Sequence, residues 1–172
     1  MAIRTIITEP NKLLRQVSKP VTKVGKEEQK LMKDMLESMY AANGIGLAAI
    51  QVGIPKRIVV MDVSKDKNSP ICMINPVIKK FSKETSTYEE GCLSIPDTFI
   101  EIQRPKLVNI DYIDENGKKK QVICDNLLST CAQHEIQHCD GKLIIDYLSK
   151  LKKDFLVKKL KKKKNDSNKI VV

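Results

Sequence analysis

The sequence predicts an α+β fold, because strand-like runs crowd the middle of the chain and helical patterns occupy both ends. Asp114-Glu115-Asn116-Gly117 lies between two of those runs and marks an antiparallel hairpin. At 172 residues the chain is long enough for one domain and short for two. With 41% hydrophobic and 30% charged residues it can bury a core without disulfide staples. Aromatic residues are only 4% and Trp is absent, so Ile, Leu, Val and Met must supply that core.

The elements follow in order. Residues 26–42 read as an amphipathic helix with Leu31, Met35 and Met39 at spacings of four, stopped by Asn43-Gly44. An apolar, glycine-rich stretch covers residues 44–53. Candidate strands then span 57–63, 71–78, 99–104, 107–113 and 119–124, the last two flanking the Asn-Gly turn. Residues 127–139 read as a helix, with Asp125 or Asn126 as N-cap and Gly141 just past its end. From Asp146 the chain is predicted helical again, with Leu148, Leu151, Phe155 and Leu160 as its apolar positions.

Charge divides the chain unevenly. The net charge is +10, yet residues 1–149 carry 21 basic and 19 acidic side chains, and residues 150–172 carry ten Lys against Asp154 and Asp166. The expectation is a catalytic domain over 1–149, with 150–172 a lysine-rich helix and tail extending it. Such a tail suits a polyanionic neighbour; a solvated lysine-rich helix is the plainer alternative. No apolar run approaches the ~20 residues of a membrane span, and polar residues follow Met1-Ala2-Ile3-Arg4 where a signal peptide needs an apolar core. Five irregularly spaced cysteines, odd in number and without a CxxC pair, fit reduced thiols. A cytoplasmic location is expected, with neither DNA nor membrane as partner.

The chemistry centres on His134-Glu135-Ile136-Gln137-His138, an HExxH sequence on the second predicted helix. Residues four apart share a helical face, so both imidazoles can address one metal ion. Glu135 sits about 100° round the helix, near enough to reach a metal-activated water without ligating. A catalytic site wants a third protein ligand and an open position. Glu135 is the last Glu and His138 the last His, so neither type can complete the site from downstream. Cysteine is the obvious upstream donor. Cys131 shares the His134 face, but three ligands rarely converge from one short helix, so core packing suits it better than ligation. Cys72 and Cys124 fall in strand patterns, and Cys139 points away. Cys92, in Glu90-Gly91-Cys92-Leu93-Ser94, stands apart as a second candidate.

Three ordered stretches carry more. Gly44-Ile45-Gly46-Leu47-Ala48-Ala49-Ile50-Gln51, Glu90-Gly91-Cys92-Leu93-Ser94 and Gln133-His134-Glu135-Ile136-Gln137-His138 resemble the three signature motifs of the peptide deformylases. The opening through Pro10-Asn11-Lys12-Leu13-Leu14-Arg15, Arg104-Pro105 and Asp146-Tyr147-Leu148 are similar to that family too, so the resemblance covers roughly residues 3–160. It implies mostly antiparallel sheets around a central HExxH helix, with Cys92, His134 and His138 as ligands of one divalent ion. Fe2+ is the implied native ion, with Ni2+, Co2+ or Zn2+ able to substitute. Glu135 is the implied general acid/base, and Gln51 (side-chain amide) and Leu93 (backbone N–H) the implied oxyanion donors. The reaction would remove the N-formyl group from the formylmethionine of nascent polypeptides and release formate.

Gly44 and Gly46 are expected to offer bare backbone to an extended peptide, an ordinary helix-to-strand turn being the plainer alternative. Ile45, Gly46 and Gly91 are expected substrate contacts, and Leu127 and Cys131 are expected to line the pocket for the methionine side chain, with a plain core role equally open to both. Glu90 and Arg104 resemble positions that support the site and contact the peptide, although as isolated charges they read as surface residues. Two departures from the pattern are Gln137, where Asp or Asn is commoner, and Ile50, where Pro is common. The basic helix is expected to dock on the ribosome. Two other classes compete: a metallopeptidase cutting internal bonds, disfavoured by Gly91-Cys92-Leu93 and the missing downstream Glu, and an RNA-binding module with a closed structural metal.

Overall fold

The computed structural model describes residues 2–167; residues 168–172, the end of the lysine-rich tail, lie outside it. Helix α1 spans Lys26–Ala41, and strands β1 to β7 span Gly46–Ala48, Ile58–Met61, Ile71–Phe81, Thr85–Cys92, Ile95–Pro105, Leu107–Ile113 and Lys119–Asp125. Helix α2 spans Asn126–Cys139 and α3 Lys150–Ser167. Five strands form one antiparallel sheet in the order β1-β2-β3-β6-β7, and β4 pairs with β5 in a separate antiparallel ladder. The fold is the expected α+β.

The large sheet is covered on both faces where it matters. On β2, Ile58 and Val60 pack with Leu31, Met32, Met35 and Met39 of α1, while Val59 and Met61 pack with Cys131, Ala132 and Ile136 of α2. Alternate side chains of a strand point to opposite faces, so a strand buried on both sides reads as an unbroken apolar run, here Ile-Val-Val-Met. Each such buried side chain contributes about 1.5–3 kcal/mol. A third cluster joins Leu14, Ile100 and Ile102 to Leu143, Ile145 and Leu160, which seats α3.

Helix α1 begins where the Glu28 carboxylate accepts the Gly25 N–H (3.0 Å), and ends at Asn43 in the left-handed region (φ 54°). The β6–β7 hairpin turns at Gly117 (φ 78°), as the Asn-Gly signal requires. Three expectations need correction. The polar run Thr85–Cys92 is a strand, β4, which the sequence pattern did not mark. Strand β5 starts at Ile95, four residues before the expected 99. The final helix starts at Lys150; Ile144–Tyr147 forms a separate 3-10 turn, because the Asp146 carboxylate turns back to accept the Leu143 N–H (2.9 Å).

The N-terminal segment straps the site together. The Ile7 N–H donates to the Gln51 carbonyl (2.8 Å), Glu9 N–H to Ser94 (2.9 Å) and Ser18 N–H to Cys139 (2.8 Å). Arg15 pairs with Asp146 at 2.7 Å.

Candidate active site

Helix α2 carries the HExxH residues and is anchored at its start. The Ser129 hydroxyl and the Gln133 amide both donate to the Pro105 carbonyl at the end of β5, at 3.0 and 2.9 Å. Two turns on, His134 and His138 bring their Nε2 atoms to 3.2 Å. Cys92 arrives from the end of β4, where the ladder shifts register after Gly91, and its Sγ stands 3.3 Å from His138 Nε2. All three donor atoms lie within 4.8 Å of one another. That spacing lets one ion touch all three, and a thiolate with two imidazoles suits borderline-soft divalent metals.

The other cysteines stand elsewhere. Cys124 and Cys139 are buried in the core, and all five are free. Burial pushes the Cys72 and Cys139 thiols up to about 12 and Cys124 to about 11, values that leave them protonated and inert. Cys131 is also held well above the usual thiol range, by burial and then by the neighbouring Glu135.

Behind His134 lies a buried ion pair. Arg104 Nε and Nη2 meet the two oxygens of Glu90 at 2.5 and 2.9 Å, and Glu90 Oε2 faces His134 Nδ1 at 3.0 Å. Both side chains are at least 95% buried, where isolated charges had read as surface. Burial raises the Glu90 pKa, but His134 and Arg104 together hold it below the usual carboxylate range. Burial alone would lower His134; Cys92 and Glu90 override it and push it up to about 10. The Glu90 contact fixes the imidazole so that Nε2 faces Cys92 and His138. Removing either ion-pair partner alone would leave a buried charge unpaired, at about 3–5 kcal/mol. Arg104 also donates through Nη1 to the Gln137 side-chain Oε1 (3.0 Å) and the Tyr147 hydroxyl (3.1 Å). Gln137 therefore supplies a neutral acceptor, and Ile50, the other departure, is simply buried core.

Glu135 is buried, with Oε2 lacking any hydrogen-bond partner, and His138 Nδ1 is likewise unpartnered. Burial pushes the Glu135 carboxyl up to about 7, against the lowering effect of His134. A group poised there can take and return a proton near neutrality. Its room comes from Gly46: a Cβ at that position would lie 2.4 Å from Glu135 Oε1 and 2.8 Å from Cys131 Sγ.

Gln51 is almost wholly buried on the 3-10 turn Ala49–Val52. Its Oε1 accepts the Ala48 N–H (2.8 Å), which turns Nε2 towards Ser94 Oγ (3.1 Å) and Cys92 Sγ (3.8 Å). A cavity of about 500 Å³ opens above these groups. Of the expected residues, Ile45, Gly46, Gln51, Glu90, Gly91, Cys92, Leu93, Leu127, Cys131, His134 and Glu135 line it. His138 stands behind the lining, and Arg104 lies behind Glu90, away from the cavity wall. Strands β1 and β4, each paired on one side only, present Gly46 and Glu89–Cys92 to the same cavity. Sequence reasoning missed Ser94, which holds Gln51, and several lining residues, Phe99 and Thr130 among them. A serine beside a motif and a threonine within a helix carry no local signal of such placement.

An HExxH helix with a cysteine donor brought in from a strand end, a buried carboxylate and a cleft between two open strand edges defines a class of metal-dependent hydrolase. Residues 3–154 match the family model for polypeptide deformylase. The chain is 60% identical to the peptide deformylase of Pelagibacter ubique, with all of both chains covered, and 49% identical to that of Bartonella tribocorum, over 98% of this chain and 97% of the relative. A crystal structure of peptide deformylase from Ehrlichia chaffeensis superposes with a TM-score of 0.91 at 40% identity, covering 96% of this chain and 99% of that one. A second structure from that organism, in complex with actinonin, superposes equally well at 43% identity. The chain belongs to the polypeptide deformylase family, metal-dependent enzymes that hydrolyse the N-formyl group from nascent polypeptides. No helix among the described residues is long and apolar enough to cross a membrane.

Proposed function

We propose that Cys92, His134 and His138 hold the catalytic ion of this deformylase and that Glu135 moves the proton. The observation that carries this reading is the convergence of the three donors beside an unpartnered, buried carboxylate. A divalent ion held by Cys92, His134 and His138 would supply Lewis acidity and would lower the pKa of a water to about 7. Glu135 accepts the proton of the attacking water and returns it to the leaving amine, so that formate and a free α-amino terminus separate. The Gln51 amide, fixed by Ala48 and Ser94, and the Leu93 backbone N–H receive the developing oxyanion, each worth about 2.7–4 kcal/mol when preorganised. The peptide lies extended between β1 and β4, pairing with backbone at Ile45, Gly46 and Gly91. Its methionine side chain enters the pocket of Leu127 and Cys131, while Arg104 steadies Glu90.

Fe2+ is the native ion in this reading, with Ni2+, Co2+ or Zn2+ as substitutes. Anaerobic purification, metal analysis and a formate-release assay on a formyl-Met peptide test it. One iron per chain with formate release is expected. Formate release from a fully metal-stripped chain would overturn the metal site, and zinc as the one metal in anaerobically purified active enzyme would overturn the iron assignment.

In the same reading the enzyme works in the cytoplasm, and α3 docks on ribosomal RNA. Lys152, Lys158, Lys159, Lys161 and Lys162 are exposed along it, whereas the side chains of Lys163 and Lys164 fall outside the described ones. Each phosphate contact releases counterions, so binding should fall with salt with a log–log slope of about 0.7–0.9 per contact. A chain ending at Leu160, which keeps the buried Leu160 seat, is expected to deformylate short formyl peptides normally and to lose most ribosome co-sedimentation. Equal sedimentation of the two forms at matched salt would exclude the lysines beyond 160 as the docking element.

A further inference from the structure

Thr130 lines the cavity from α2, one residue before Cys131, and is 4% exposed. Its hydroxyl is closed off from water and has no hydrogen-bond partner. A helical threonine ordinarily donates to the carbonyl four residues back. Here that residue is Asn126, which opens the helix in the left-handed region (φ 46°), and no such bond forms. Leucine, isoleucine and cysteine side chains dominate this part of the wall: Ile45, Leu127 and Cys131. This donor has no partner within the protein, and an unpaired buried hydroxyl is costly.

We propose that Thr130 is a specificity-determining residue of the side-chain pocket, donating to an acceptor on the formylated residue. The proposal rests on the reading that the methionine side chain occupies this pocket. Threonine in a helix divides between two χ1 rotamers, and a turn about χ1 exchanges Oγ1 with the methyl group at the wall. An occupant with an acceptor selects the rotamer that presents the hydroxyl. A thioether sulfur is a weak acceptor and a methylene is none. A sulfoxide oxygen is a strong one, on a side chain of nearly the same length. The enzyme therefore accepts peptides beginning with N-formylmethionine sulfoxide as a second substrate class, by the same hydrolysis: water adds to the formyl carbon, the C–N bond breaks, and formate leaves with the sulfoxide untouched. An apolar pocket without the hydroxyl would resist that residue.

The test compares kcat/KM of the nickel-loaded enzyme on three otherwise identical formyl peptides, starting with methionine, methionine sulfoxide or norleucine. The wild type is expected to handle the sulfoxide within about tenfold of methionine. In Thr130→Val, which keeps the shape and removes the donor, the sulfoxide-to-norleucine ratio should fall about five- to tenfold, the scale of one hydrogen bond. Thr130→Ser should restore it. An unchanged ratio in Thr130→Val overturns the proposal while the pocket reading stands. Rejection of the sulfoxide by the wild type by more than about a hundredfold overturns it without reference to any variant. Turnover of a fourth peptide, starting with formylglycine and so with no side chain to enter the pocket, at the methionine rate would instead remove the pocket reading itself.

Discussion

Cys92→Ser is expected to be inactive and to bind its metal weakly. A serine hydroxyl keeps its proton at neutral pH and is a hard oxygen donor, whereas Cys92 places a softer sulfur donor 3.3 Å from His138 Nε2. Losing an outer hydrogen-bond partner typically costs 10–100-fold in affinity or activity. Losing one of three donors should exceed ~10²-fold in both. Cys139→Ser is the control. That thiol is fully buried in the core and is not one of the three donors, so the variant should melt at a lower temperature yet release formate at nearly the wild-type rate per bound ion. Wild-type turnover by Cys92→Ser at matched metal content would remove Cys92 from the ligand set.

Glu135→Gln separates proton transfer from metal binding. The amide nearly matches the carboxylate in shape and fits the space beside Gly46, and both imidazoles stay in place. Metal content should remain near wild type while kcat falls at least ~10²-fold. The pH profile gives a second readout. Burial pushes the Glu135 carboxyl up to about 7, and a cation bound nearby draws it back down. Only the ionised form accepts a proton, so wild-type kcat/KM should fall as pH drops through that ionisation. The glutamine variant should lack this limb. Loss of metal along with activity would mean instead that Glu135 is a ligand or a structural partner.

The parts of this molecule legible in its sequence are those with local causes. The α1 periodicity, the Asn-Gly hairpin and the HExxH spacing each arise within a few residues, and each stands where the pattern put it. Strand β4 had no such signature. Thr-Ser-Thr-Tyr-Glu-Glu-Gly-Cys is polar and carries two carboxylates, and only its ladder with β5 makes it a strand. For the same reason Glu90 and Arg104 read as surface charges taken singly. Fourteen residues apart, they neutralise each other once the β4–β5 pairing sets Glu90 opposite Ile100. Sequence motifs singled out Cys92 and Gln51 by resemblance, but the Ser94 and Ala48 contacts that orient Gln51 become visible only in three dimensions. Thr130 is the extreme case, since its distinguishing property is a missing partner.

The N-terminal strap sets the order in which this enzyme becomes competent during its own synthesis. Ile7 and Glu9 are made early, but the carbonyls they hold belong to Gln51 and Ser94, and Ser18 waits for Cys139 at the end of the metal helix. Non-local pairings must close long loops before they are rewarded, which slows folding. No early-emerging fragment can therefore assemble a working cleft: the Ser18 end of the strap stays unpartnered on the growing chain until Cys139 has been made. An enzyme that processes other chains while they are still being translated is thus itself withheld from activity until its own translation has passed residue 139.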